Sequence, residues 1–396
     1  MEQKRILILT WEYPPMLVGG LGRHVYELSK ATAEAGHIVH IITTHVEDSL
    51  CYEHMDTVHI HRVKSRYEDK TNFYRWIGGL NEAIVQYAER LCKEITFDLI
   101  HAHDWLVCTA AKTLKQTQGF PLITTIHATE HGRNYGIHTS LQWEIHMKEK
   151  ELVQEADAII VCSQYMKQEV QTILESPPQK LFVFPNGIDE NFFCYAKPSY
   201  SVRKKYSLDS RILVFSIGRI VNEKGFYTVI EAAPSLIKKY PYIIFIIAGK
   251  GPMLDVYRNM VMERELQHFI LFVGHISEEE QRAFLQESDI VVVPSLYEPF
   301  GIVALEGMLA KKPTIVSDVG GLSEIVKHGH NGYKAEPGNA DSFMQQIETV
   351  LENKDSAQCV AQKGFDLVRQ EYSWKKIAID TIKIYDKVTY KSRNGR

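Results

Sequence analysis

Short, wholly apolar runs alternate with helical patterns from one end of the chain to the other, and this alternation limits the fold more than any single motif. Apolar runs of this length bury side chains on both faces, so they predict α/β architecture with doubly wound parallel sheets covered by helices. In the first half, strands are expected at residues 5–10, 37–43, 98–102, 122–127 and 157–162, with 58–63 as an edge strand. The helix after Gly22 repeats apolar residues at Val25, Leu28 and Ala31, and a helix over 72–94 does so at Ile77, Leu80, Ile84 and Tyr87. Pro185-Asn186-Gly187-Ile188-Asp189 is turn chemistry, and the polar stretch that follows, with Pro198, Ser199 and Ser201, reads as a linker. The alternation then restarts, with strands at 212–217, 243–248, 270–273, 290–293 and 314–317 and helices at 225–240, 252–263, 278–287 and 343–351.

The 396 residues are long enough for two domains with separate cores. The expected division is an N-terminal domain over 1–190, a linker over 191–210 and a C-terminal domain over 211–373, with a cleft between the domains. A last helical pattern over 374–390, through Trp374, Ile377, Ile382, Ile384 and Tyr385, is expected to join the first domain, and the basic tail 391–396 to fray.

Forty-five basic against forty-nine acidic residues leave a net charge of −4, which points to neither a nucleic-acid groove nor a strongly attractive membrane face. The six cysteines form no Cys-x-x-Cys pair and read as reduced, buried thiols of a cytoplasmic protein. The apolar run from Ile6 to Leu9 is too short for a leader core, and no stretch approaches the roughly 18 apolar residues of a transmembrane segment.

Several loops at strand ends carry chemistry. The first strand runs into Thr10-Trp11-Glu12-Tyr13-Pro14-Pro15 and then Gly19-Gly20-Leu21-Gly22 before a helix. Such glycines let backbone N–H groups approach a phosphate, or simply make a tight turn. Gly218-Arg219, with Lys224 five residues on, places two cations where a diphosphate can bind, although Glu223 beside Lys224 also suits a solvated loop. Gly249, and Gly274 with His275 and Ile276, end the next strands and could line a base-binding slot. Glu298 and Glu306 flank a Pro299-Phe300-Gly301 turn into a helix; carboxylates there can accept hydrogen bonds from sugar hydroxyls, and the N–H groups around Phe300, Gly301, Ile302 and Val303 suit a phosphate. His101 and His103 share a strand face beside Asp104, which could orient an imidazole. His127-Ala128-Thr129-Glu130-His131 has inverted zinc-peptidase spacing, but a strand precedes it and Gly132 follows, where that motif needs a helix.

Taken jointly, Gly19-Gly20-Leu21-Gly22, Pro185-Asn186-Gly187-Ile188-Asp189, Gly218-Arg219 with Lys224, and Glu298-Pro-Phe-Gly-Ile-Val-Ala-Leu-Glu306 resemble glycosyltransferase family 4, the retaining nucleotide-sugar transferases of the GT-B fold. Thr10-Trp-Glu-Tyr-Pro-Pro and His101-Ala-His103-Asp104-Trp105 resemble its glycogen and starch synthase side. Those synthases commonly carry Lys-x-Gly-Gly, whereas here Leu17 stands two before Gly19, a departure that bears on polymerisation more than on sugar transfer.

The resemblance implies two Rossmann-like domains and a hexosyl, most simply glucosyl, transfer from a nucleoside diphosphate sugar to a carbohydrate or glucan hydroxyl. It implies that Arg219 and Lys224 neutralise the donor diphosphate and that Glu306 binds the ribose. Glu298, with the N–H groups of Phe300 and Gly301, would lie against the donor sugar and its phosphate; Gly20 would approach the diphosphate, and His127 would lie near the reaction centre. No dedicated metal motif stands out, so no metal or other cofactor is expected and the two cations take a metal's part. The other functions open to the sequence are transfer to a small-molecule, lipid or cell-envelope acceptor, nucleotide-sugar epimerisation, and sugar binding without turnover.

Overall fold

In a computed structural model, which describes residues 2–193 and 199–394 (the side chains of 393 and 394 excepted), the chain divides into two compact units. One comprises Met1–Gly187 with Trp374–Arg396, the other Ile188–Ser373. Cys194 and Pro198 of the stretch read as linker, and the end of the basic tail, lie outside the described residues. Part of that stretch is helical, at Val202–Lys205, and belongs to the second unit.

The first unit holds an eight-stranded sheet. Its strands are β1 (Arg5–Leu9), β2 (Ile38–Thr44), β3 (Tyr52–Met55), β4 (Val58–Val63), β5 (Leu99–His103), β6 (Leu122–Ile126), β7 (Ala158–Val161) and β8 (Leu181–Val183), in the order β3-β4-β2-β1-β5-β6-β7-β8. Every pairing is parallel except β3 with β4. Burial of Ile6, Leu7, Ile8 and Leu9 on both faces, each stabilising by roughly 1.5–3 kcal/mol, explains why β1 lies inside the sheet. The expectation that 58–63 forms an edge is corrected: β3 pairs outside it, joined through a turn in which Asp56 adopts φ 53°. The C-terminal helix, Trp374–Asn394, packs Ile382, Ile384, Tyr385 and Val388 against Ile6, Ile8, Val25 and Val39 in the same core.

The second unit holds six parallel strands: β9 (Ile212–Ile217), β10 (Ile243–Ala248), β11 (Ile270–Gly274), β12 (Ile290–Val293), β13 (Thr314–Ser317) and β14 (Tyr333–Ala335). Their order is β11-β10-β9-β12-β13-β14, with β14 additional to the five expected strands. Its core joins Val214, Phe245, Ile247 and Val292 to Phe226, Ile230 and Leu236 of the helix Phe226–Lys239.

Among the described cysteines Cys51 and Cys359 are exposed, which corrects the reading of the thiols as buried. Among the described residues no helix is long and apolar enough to cross a membrane.

Candidate active site

Both strand orders contain a reversal. In the first sheet β1 lies between β2 and β5, and in the second β9 lies between β10 and β12. At such a point the loops leaving adjacent strands run in opposite directions and open a crevice at the strands' carboxyl ends, where ligands of open α/β sheets bind. Nearly all the residues singled out above lie at these ends.

In the second unit the loop after β9 is stapled to the loop after β12. The Glu223 carbonyl accepts hydrogen bonds from the N–H of Leu296 (2.8 Å) and Tyr297 (3.2 Å). Gly225 makes the close approach possible: its φ is +63°, and a Cβ there would strike the Pro294 carbonyl. The staple brings Lys224 Nζ to 2.7 Å from Glu298 Oε2, which also accepts from Ser295 Oγ at 3.0 Å. Lys224 is thus paired with Glu298 rather than with its neighbour Glu223. Arg219 on the same loop is exposed.

Beyond the turn, Gly301 at φ +118° opens the helix Ile302–Leu309. The first backbone bond of this helix comes from Ala304 N, so the N–H groups of Ile302 and Val303 precede the intrahelical ladder and suit an anion. Phe300 is buried against Tyr372, so its side chain belongs to the core. Glu306, 2% exposed, accepts a hydrogen bond from Gln281 Nε2 at 2.7 Å, which fixes one carboxylate oxygen and gives Gln281 a positioning role that the sequence did not reveal.

Gly249 has a packing reason of its own. Its φ is +142°, a Cβ there would strike the Gly218 carbonyl, and its N–H donates to the Gly274 carbonyl at 2.7 Å. That N–H is therefore not available to a ligand. His275 beside it is exposed and Ile276 buried.

In the first unit the glycine loop is organised by Glu12. This carboxylate, 2% exposed, accepts from the N–H groups of Val18 (2.5 Å), Gly22 (3.1 Å) and Gly19 (3.3 Å). Burial raises its pKa to about 7 against the opposing pull of those three N–H groups. The expectation that these glycines offer their N–H groups to a phosphate is corrected for Gly19 and Gly22, which are bonded inside the protein. Gly20 is exposed and starts the helix Gly20–Glu34.

His127 follows β6, and its backbone N–H donates to Asp104 Oδ1 at 2.7 Å. Asp104 therefore holds the backbone at His127 and does not orient an imidazole; burial raises its pKa to about 6, opposed by Arg133 and by the N–H groups of His127 and Ala128. His101 has both nitrogens engaged, Nδ1 with the Tyr385 hydroxyl and Nε2 with Thr125 Oγ1, each at 2.8 Å. His103 Nδ1 lies 3.2 Å from His127 Nε2, and His24 Nδ1 lies 2.6 Å from Asn186 Oδ1. Burial lowers the pKa of His24 and of His127 to about 3 and that of His103 well below the ordinary value, so all three rings are neutral at pH 7. A neutral His127 can hydrogen-bond a sugar hydroxyl but supplies no positive charge. The zinc-peptidase reading fails on geometry, because His127 precedes the Thr129 cap and only His131 lies in the helix Glu130–Asn134.

Profiles described as "Glycosyltransferase Family 4" and "Glycosyl transferases group 1" match residues 18–192 and 201–366 respectively. The chain belongs to glycosyltransferase family 4 and has the GT-B fold. It is 32% identical to a glycogen synthase of Mycobacterium tuberculosis, over 96% of this chain and 94% of that one. Among solved structures it is similar to a sucrose-phosphate synthase of Thermosynechococcus elongatus, with a TM-score of 0.83, 24% identity, and 97% of this chain and 99% of the other covered. It is also similar to HepE of Anabaena, solved in complex with UDP-glucose, with a TM-score of 0.78, 18% identity, and 97% and 100% of the two chains covered. The chain is thus a glycosyltransferase.

Proposed function

We propose that this enzyme moves a hexosyl group, most simply glucosyl, from a nucleoside diphosphate sugar to a carbohydrate hydroxyl with retention at the anomeric carbon. The observation that carries the reading is the stapled corner of the second unit: Lys224, Glu298 and Ser295 in one hydrogen-bonded set, with Glu306 fixed by Gln281 one helix turn further on. Glu306 is suited to the ribose hydroxyls, since an ionised carboxylate offers about four acceptor sites and the hydrogen bond from Gln281 occupies one of them. Cleavage of the glycosyl–phosphate bond leaves negative charge on the departing diphosphate. Arg219, Lys224 and the N–H groups of Ile302 and Val303 gain more from that charge than from the ground state, and this difference lowers the barrier.

When the phosphate arrives, the Lys224 ammonium turns from Glu298 toward it, and the freed Glu298 carboxylate accepts from the donor sugar's hydroxyls. In the first unit, His127 is the residue that the family resemblance implies near the reaction centre, and its neutral ring can offer a sugar hydroxyl a hydrogen bond but no charge. The similar proteins, a glycogen synthase and a sucrose-phosphate synthase, differ in the acceptor their names imply, and Leu17 departs from the lysine common in glucan synthases. The test is release of nucleoside diphosphate from ADP- and UDP-hexoses with glucan, sugar phosphate and free sugar acceptors in parallel. Acceptor-dependent release supports transfer. Isomerised donor without acceptor would mean epimerisation, and binding with no product would mean a sugar-binding protein.

A further inference from the structure

Three imidazoles converge inside the first unit without a carboxylate among them. One ligand nitrogen from each of His24, His103 and His127 lies within 4.8 Å of the other two. His103 Nδ1 and His127 Nε2 are 3.2 Å apart. Two nitrogens bound at about 2.0–2.1 Å to one tetrahedral zinc ion stand roughly 3.3–3.4 Å apart, so this pair already has the spacing of two ligands on one ion.

His24 supplies the third. The oxygen of Asn186 can only accept, so the 2.6 Å contact requires His24 Nδ1 to carry the proton. In the neutral ring Nε2 then holds a bare lone pair, and that atom is buried without a hydrogen-bond partner. His24 itself is 4% exposed. A carbonyl that fixes the tautomer of a histidine so that its other nitrogen faces a metal is the usual outer-shell arrangement of metal-binding histidines. Trp374, packed edge-on against the His24 ring with centroids 5.2 Å apart, holds the ring from another side. Bringing the His24 nitrogen from a separation of up to 4.8 Å to ligand spacing needs a ring shift of at most roughly 1.5 Å.

A second histidine group does not have this form. His40, His54, His59 and His61, on β2, β3 and β4, stack in a row with near-parallel neighbouring rings. His40 Nδ1 and His61 Nε2 are 3.1 Å apart, but His61 Nδ1 is engaged by the Tyr87 hydroxyl and His59 Nδ1 by that of Tyr52, and among the described residues no third ligand nitrogen converges on the pair.

We propose that His24, His103 and His127 form a binding site for one divalent transition-metal ion, Zn2+ being the ion suited to three neutral imidazoles with an open fourth position. The sequence showed no such site because its ligands come from a helix and two strand ends far apart in the chain, with none of the short spacings of a metal motif. On the reading of His127 given under Proposed function, a bound ion takes up its Nε2 and slows transfer. Zinc binding itself does not rest on that reading.

The untagged 396-residue chain, stripped with chelator and without donor, is titrated with Zn2+ by calorimetry. The zinc-loaded wild type is examined by X-ray absorption, and Co2+ replaces Zn2+ for a visible spectrum. The expected result is one ion per chain, an all-nitrogen shell with imidazole scattering and a tetrahedral Co2+ spectrum. Binding is lost in His24→Gln and weakened about 10- to 100-fold in Asn186→Ala, and it persists in a His54→Ala/His59→Ala variant. Absence of stoichiometric binding, an oxygen-dominated shell, or loss of binding in the His54/His59 variant alone overturns the proposal. The absorption measurement needs no variant, so a His24 substitution that fails to fold leaves the test intact. Zinc bound with no effect on transfer would remove the role given to His127 and leave the metal site standing.

Discussion

At the scale of single residues, Lys224 and Glu306 of the second unit have separable effects. Lys224→Ala removes a cation that acts on the departing diphosphate, so kcat is expected to fall about 10²–10³-fold with little change in donor KM. Glu306→Ala removes hydrogen bonds made to the ribose in ground and transition states alike. The expected loss is about tenfold or more in donor KM with kcat largely kept, and Gln281→Ala gives a smaller shift in the same direction. Steady-state kinetics decide both; either variant with wild-type kcat and KM would lose its assigned role. Glu12 makes a different prediction. Its native carboxyl holds a proton to about pH 7, whereas the unfolded chain releases it near 4.5. Stability from this residue is therefore complete below about 4.5 and is lost as pH rises through about 7. Relative to Glu12→Gln, the wild type should lose roughly 3 kcal/mol over that window, measured by urea unfolding at a series of pH values. The residues proposed to touch a donor were picked out in the sequence by their types and places at strand ends. It did not show Glu12 or Gln281, because their partners are backbone N–H groups and a carboxylate brought near only by folding.

Among the elements, the stapled loops after β9 and β12 set the geometry of the corner. Gly225→Ala forces a side chain into a left-handed backbone, at about 1–2 kcal/mol, and against the Pro294 carbonyl. The loops must separate, so the variant is expected both to unfold at lower urea and to lose kcat by moving Lys224 from Glu298; unchanged activity would show that the staple does not place Lys224. Most strands were legible because their side chains are buried on both faces and leave continuous apolar runs, as at Ile243–Ala248. β3 was not, since Tyr-Glu-His-Met is a largely exposed edge whose pairing is set by the turn at Asp56. The two short strands β8 and β14 have three residues each, too few for a period to show.

For the whole molecule, the two-sheet plan followed from the restart of the alternation after the turn at Pro185. The destination of the last helix depended on which core offered a matching apolar surface. Removing residues 374–396 takes Ile382, Tyr385 and Val388 from the first unit's core, roughly 5 kcal/mol or more and comparable with a domain's total stability. Hydrogen exchange on the truncated chain is expected to show protection lost in Met1–Gly187 and kept in Ile188–Ser373; uniform loss would contradict the assignment of that helix to the first core. The central claim is that the corner around Lys224, Glu298 and Glu306 activates a nucleoside diphosphate hexose for transfer. Its most direct measurement is nucleoside diphosphate release from a panel of ADP- and UDP-hexoses, with and without carbohydrate acceptors, in wild type and Lys224→Ala. The prediction is acceptor-dependent release with at least one donor, reduced about a hundredfold or more in the variant; release that is absent across the panel, or equal in the two proteins, would contradict it.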